Sequence, residues 1–251
     1  RLRECCDELS KFYWASPRNR ISPDGSALNT PVVTIDGPSG AGKGTVARNI
    51  AYELDFHLLD SGAIYRILGL AAIEQGAAFN DIGGLVALAN SLELSFPFDR
   101  EHTSTVLDGV PLGQKLRNQI VADAASQVAL NPSVRRALMD LQRRQAREPG
   151  LVGDGRDLGT IVFPDADLKI FLDASVEVRA ERRYLELIES GQIVERSVIL
   201  RDLEIRDFRD RSRDVAPLVP AGDAYVIDSS QKTVAQVVME IQDLCRARGL
   251  A

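Results

Sequence analysis

The sequence predicts an α/β fold, a parallel core sheet with helices on both faces, and three observations predict it. From residue 31 onward, short apolar runs of strand length alternate with longer helical patterns. The first apolar run leads directly into a glycine-rich loop that opens a helix. The rhythm breaks between about residues 79 and 113, where a two-residue hairpin signal stands.

Residues 1–30 differ in character from the rest of the chain. An amphipathic stretch through Leu9, Phe12 and Trp14 runs into turn formers such as Ser16-Pro17 and Ser22-Pro23-Asp24-Gly25. This segment is expected to be a flexible N-terminal extension, with the folded domain spanning 31–251. Strands are expected at 32–35, 57–59, 150–153, 168–172 and 224–227, with the first helix at about 43–54. Around the break, Leu92-Glu93-Leu94-Ser95-Phe96 and Ser104-Thr105-Val106-Leu107 precede Asp108-Gly109, so residues 79–113 are expected to form a small inserted lobe.

Of 251 residues 45% are hydrophobic, enough for one sizeable core. Thirty Lys and Arg face 36 Asp and Glu, a net charge of −6 and a pI near 5.1, which argues against broad binding to nucleic acid or anionic membranes. No apolar run approaches the roughly 20 residues of a membrane helix, and the start lacks a secretory signal's apolar stretch, so a cytoplasmic location is expected; a monomer is expected as well. Cys5, Cys6 and Cys245 have neither zinc-ligand spacing nor a disulfide framework, and two histidines, His57 and His102, are too few for a histidine-rich metal site.

The chemistry concentrates in Gly37-Pro38-Ser39-Gly40-Ala41-Gly42-Lys43-Gly44-Thr45. Between a strand and a helix, the glycines let successive backbone N–H groups turn around a polyphosphate, and the helix presents its positive end to the anion. Lys43 then reaches the β and γ phosphates, and Thr45 is the expected ligand of Mg2+, with Asp36 or Asp154 acting through water. A glycine-rich turn with no nucleotide is the alternative, and the complete motif in this setting disfavours it. No Asn-Lys-x-Asp guanine-reading element occurs, which favours ATP over GTP. The fold class sharpens accordingly to a phosphate-loop NTPase.

Transfer of a phosphoryl group to a second nucleotide needs a second set of cations to hold the acceptor. Asp60-Ser61-Gly62-Ala63-Ile64-Tyr65-Arg66 comes after the second strand, with Ser61 expected as the helix N-cap and Arg66 one turn on. Asp154-Gly155-Arg156-Asp157 stands at the end of a later strand, where the carboxyl ends of parallel strands form a ligand crevice. There Arg156 suits a phosphate, and the aspartates suit magnesium or a base.

These runs, together with Ala124-Ala125-Ser126-Gln127-Val128, Lys169-Ile170-Phe171-Leu172-Asp173-Ala174 and Ala216-Pro217-Leu218, resemble the bacterial cytidylate kinases, nucleoside-monophosphate kinases of the phosphate-loop class. The resemblance covers residue 31 to the C-terminus. It implies transfer of the γ-phosphoryl group of ATP to CMP or dCMP, with Mg2+, in a fold with an acceptor-binding lobe and a helical lid. By resemblance, Ser126, Arg135 and Asp157 line a cytosine pocket, Arg206 and Asp210 approach the sugar, and Ser61, Tyr65, Arg66, Arg156 and Arg213 hold the acceptor phosphate. Cytosine offers an exocyclic amine as donor beside two acceptors, which matches a carboxylate such as Asp157 flanked by donors from Arg135 and Ser126. Around Arg117 the chain departs from the family pattern, lacking the acidic residue expected after it.

The lid is expected at about 179–195, where Arg179 and Arg183, one helical turn apart, join Lys43 and Arg156 as the residues expected at the transferring group. A kinase for another monophosphate or a small metabolite, or a nucleotide-binding regulator without turnover, are the competing readings.

Overall fold

The computed structural model describes residues 30–250, so the expected extension at 1–29 lies outside the described residues. Strand β1 (Val32–Asp36) is buried at all five positions. It lies between β6 (Leu151–Gly155) and β7 (Leu168–Asp173), flanked in turn by β2 (His57–Asp60) and β8 (Tyr225–Asp228), and every neighbouring pair is parallel. The central strands β1, β6 and β7 are buried on both faces, which explains their near-continuous apolar runs.

Period-two alternation sends β1 side chains into two cores. Val32 joins Leu59 and Leu151 in a core shared with helices α2 (Ser61–Glu74), α3 (Ile82–Ser91), α4 (Gln119–Val128) and α5 (Pro132–Arg143). Val33 and Ile35 join Val152, Ile170 and Leu172 in a second core with helices α1 (Lys43–Leu54) and, near the C-terminus, α8 (Val234–Ala247). Helices α6 (Val176–Glu189) and α7 (Arg196–Arg211) meet through a smaller cluster of Ala180, Ile199 and Leu203. The helix starts obey capping chemistry: Asn131 accepts from two backbone amides ahead of Pro132, and Thr233 with Gln236 forms a reciprocal capping box.

Within the 79–113 stretch, α3 packs Leu85 and Ala89 into the main core. Beyond α3 the chain forms a small antiparallel sheet of β3 (Leu94–Ser95), β4 (Val106–Leu107) and β5 (Val110–Pro111). Asp108 and Gly109, with φ of 49° and 79°, make the turn between β4 and β5, as a primed hairpin turn requires. Arg100, between β3 and β4, lies 4.5 Å from the Tyr52 ring centroid and 3.5 Å from Glu53, fastening this segment to α1. Among the described residues no helix is long and apolar enough to cross a membrane.

Candidate active site

The phosphate loop leaves β1 at Gly37, where a β-carbon would fall on the Leu172 carbonyl oxygen, so the backbone of β7 admits only glycine there. Gly40 and Gly42 take φ of 81° and 92°, and α1 begins at Lys43 with no side chain capping its first amides. Two arginines of α6 grip the loop from behind. Arg179 donates to the Ser39 carbonyl at 3.0 Å, and Arg182 donates to the Ala41 carbonyl at 3.3 Å and to the Ser229 carbonyl at 2.7 Å. A trans peptide whose C=O is held outward aims its N–H the other way, and the next residues, Gly40 and Gly42, line the cleft. Ser39, Lys43, Gly44 and Thr45 line it as well, whereas Gly37, Pro38 and Ala41 stand behind as the loop's frame.

Lys43 is 5% exposed, donates to the Pro38 carbonyl at 2.9 Å and lies 3.6 Å from Asp154. Burial, and then the neighbouring Arg156, lower its pKa to about 8 against the opposing pull of Asp154. Burial raises the Asp154 carboxyl, with Lys43 pulling it back down.

Across the same cavity of about 420 Å³ stand the acceptor-side residues. Ser61 is the first residue of α2 rather than its cap. Asp60 takes the cap position, accepting from the Ala63 amide at 2.8 Å while also holding Arg66 at 3.2 Å. Its carboxylate has two acceptors and lies one residue nearer the strand, which displaces the hydroxyl. Ser61, Tyr65 and Arg66 all line the cavity. Burial pushes the Tyr65 phenol up to about 12, so it is a neutral donor at physiological pH. Arg135 pairs with Asp157 and lies 5.6 Å from the Tyr65 ring centroid, with Ser126 on the adjoining wall. Asp210 holds two guanidiniums, Arg156 at 3.2 Å and Arg213, and the exposed Arg206 lies one turn before it on α7.

Four cleft carboxylates, Asp60, Asp154, Asp157 and Asp210, therefore each hold a cation that the sequence assigned to phosphate or base. This arrangement offsets the charge of the basic cluster and fixes its side chains along the cleft.

Asp36 differs from the expectation. Its oxygens accept from the Leu158 amide at 2.9 Å and the Gly159 amide at 2.7 Å, and it is not among the residues lining the cleft. Each oxygen is engaged by one backbone amide, so the carboxylate is turned toward the Leu158–Gly159 backbone and does not line the cleft in which a magnesium ion would sit. Thr45, exposed in the cleft, and Asp154, with an oxygen 3.2 Å from where a Gly44 β-carbon would be, are the hard oxygen donors that suit Mg2+. Among the described residues no cluster of three or more His, Cys, Asp or Glu is placed to hold a metal ion.

The two lid arginines part company with the expectation as well. Arg179, 2% exposed, directs its guanidinium to Ser39, Ala174 and Asp207 and does not line the cleft. Arg183 pairs at 2.8 Å with Glu186 on the exposed side of α6, and it is Glu186 that lines the cleft. Spacing of four put both arginines on one helical face, but the half-buried Asp207 captures one and a nearby glutamate the other. The roles of Arg182 and Asp207 do not show in the sequence; the i,i+3 and i,i+4 charge patterns of α6 and α7 are visible there, but partners 28 to 47 residues apart are not, whereas the cap at Asp60 is local and lay one residue before the one expected.

The family model described as cytidylate kinase matches residues 33–247, a span that includes every candidate residue of the cleft. The chain belongs to the cytidylate kinase family. Within it, the cytidylate kinase of Sodalis glossinidius (strain morsitans) is 51% identical over 208 residues, covering 83% of this chain and 92% of its own. The cytidylate kinase of Salmonella choleraesuis (strain SC-B67) is 50% identical over 218 residues, covering 87% of this chain and 96% of its own. The cytidylate kinase match thus takes in both halves of the cleft, from Ser39 to Arg213.

Proposed function

We propose that this protein transfers the γ-phosphoryl group of ATP to CMP or dCMP, giving ADP and CDP or dCDP. The observation that carries the proposal is that the phosphate loop, with Lys43, and the acceptor-side cations Arg66, Arg156 and Arg213 line one and the same cavity. A phosphate oxygen of the monophosphate attacks the γ-phosphorus as the bond to the β,γ-bridging oxygen breaks, and ADP leaves with the electron pair. The acceptor phosphate is already anionic at neutral pH, so no general base is needed. Positioning and charge neutralisation carry the catalysis.

Lys43 and the loop amides take the donor phosphates, and Arg66, Arg156 and Arg213 take the acceptor phosphate by exchange with Asp60 and Asp210. Magnesium, where bound by Thr45 and Asp154, supplies charge neutralisation on the donor phosphates. In the base pocket, Asp157 accepts from the cytosine amine while Arg135 and Ser126 donate to its acceptor edge. Uracil would set a carbonyl against the same carboxylate, leaving a buried acceptor unpaired. The small sheet of β3, β4 and β5 serves as the acceptor lobe, and the α6–α7 connection as the lid. A steady-state assay with ATP against CMP, dCMP, UMP, AMP and GMP tests the reading: the cytidine nucleotides are expected to be fastest. Preference for another monophosphate supports the first competing reading, and binding without turnover supports the second.

A further inference from the structure

Strand β1 ends at Asp36, and the phosphate loop starts at the next residue. The Asp36 side chain, 5% exposed, reaches across to the amides of Leu158 and Gly159. These two amides open the π-helical turn Leu158–Val162, which comes directly after Arg156 and Asp157. Asp157 at the start of that turn supplies no side-chain cap. The first amides of the turn would lack a partner in the core, and Asp36, 122 residues away, provides one for each of two.

We propose that Asp36 is a positioning residue that fixes the Arg156–Asp157 turn of the acceptor side against the strand carrying the donor loop, and so sets the spacing between the two phosphate sites. The inference rests on the phosphoryl-transfer reading. Three features support it. Only a carboxylate presents two acceptors here; an asparagine would turn an NH2 group against one of the two N–H donors. The approach is also close on both sides. A β-carbon at Gly155 would lie 3.1 Å from one Asp36 oxygen and 2.5 Å from Leu158, and one at Gly159 would lie 3.3 Å from the other oxygen and 2.8 Å from the Thr34 hydroxyl. Finally, β1 is hydrogen-bonded on both sides, to β6 and β7, so a side chain on its last residue has a rigid base. In-line transfer is sensitive to such spacing, since a displacement of about 1 Å costs about a hundredfold in rate.

The test uses the full-length enzyme and Asp36→Asn. Wild-type turnover of CMP is measured first and bears on the proposed activity alone; the variant is then compared on whichever monophosphate the wild type phosphorylates. The expected result is a rise of about tenfold or more in KM for the monophosphate and a fall in kcat, with KM for ATP changed less than about threefold. Hydrogen exchange at the Leu158 and Gly159 amides is expected to quicken by about tenfold or more, a readout independent of substrate. Gly159→Ala disturbs the same contact from the turn, is expected to give the same asymmetry, and replaces Asp36→Asn if that variant does not fold. An unchanged KM for the monophosphate, a parallel rise in both KM values, or unchanged exchange at the two amides overturns the proposal.

Discussion

Lys43 and Asp154 form an ion pair 3.6 Å long at the base of the cleft, where the ammonium also donates to the Pro38 carbonyl. The lysine is thus held in place by two partners from different segments before any phosphate competes for it. Lys43→Ala is expected to leave a folded protein with kcat reduced about a thousandfold or more, because it removes a preorganised charge from the transferring phosphates. Circular dichroism and a coupled assay check both halves; a folded variant with wild-type turnover refutes the phosphate-loop assignment.

Burial and the nearby Arg156 bring the Lys43 pKa to about 8, below its ordinary 10.5. A bound polyphosphate favours the charged form and raises that value again. Between about pH 8 and 10, ATP binding is therefore expected to take up protons, and affinity to fall as pH rises through that window. Near pH 6.5 the lysine is already charged and its uptake vanishes. Calorimetric titrations in two buffers of different ionisation enthalpy measure the proton count directly, and equal counts at pH 6.5 and 8.5 contradict the expectation.

Arg179 and Arg183 lie one turn apart, yet their removal is expected to have different effects. Arg179→Ala leaves Asp207 and two backbone carbonyls without a donor, at a cost of about 3–5 kcal/mol. Arg183→Ala breaks an exposed pair with Glu186, worth about 1 kcal/mol or less. Denaturant unfolding of both variants gives the comparison, and similar losses would show that Arg179 is not the clamp its contacts describe.

Asp157 lines the cleft paired with Arg135, where the proposed function puts the base. Asp157→Asn, whose amide offers a donor as well as an acceptor, is expected to weaken discrimination of CMP over UMP by about 1–3 kcal/mol in relative kcat/KM, with ATP affinity little changed. If both pyrimidines lose activity in parallel, Asp157 organises Arg135 and does not read the base.

The parts of this protein legible in its sequence are those whose chemistry is contiguous. The loop from Gly37 to Thr45 is a local device, and the strand ends at Asp60 and Asp154 emerge from period and topology. The expected strands lie within two residues of β1, β2, β6, β7 and β8 at each end. What escaped notice is set by partners far apart along the chain. Asp210 holds Arg156, Asp207 withdraws Arg179, and the π-helical turn after Asp157 owes its first hydrogen bonds to Asp36. Residue type and spacing report that a charge is present, whereas its destination depends on the carboxylate that burial brings beside it.

The strand order carries a consequence for synthesis on the ribosome. Apolar β1 emerges first of the five, but neither of its neighbours comes next: β6 begins about 115 residues after Asp36, and β7 later still. Every pairing in this sheet is parallel, so no local hairpin shields the strand meanwhile. At about 5–20 residues per second, the nascent chain carries β1 without a sheet partner for roughly 6–23 s. Over that interval β1 is exposed to chaperones and to neighbouring nascent chains, and a transcript truncated before the Leu151 codon would yield a polypeptide in which β1 and β2 never acquire the partner that lies between them.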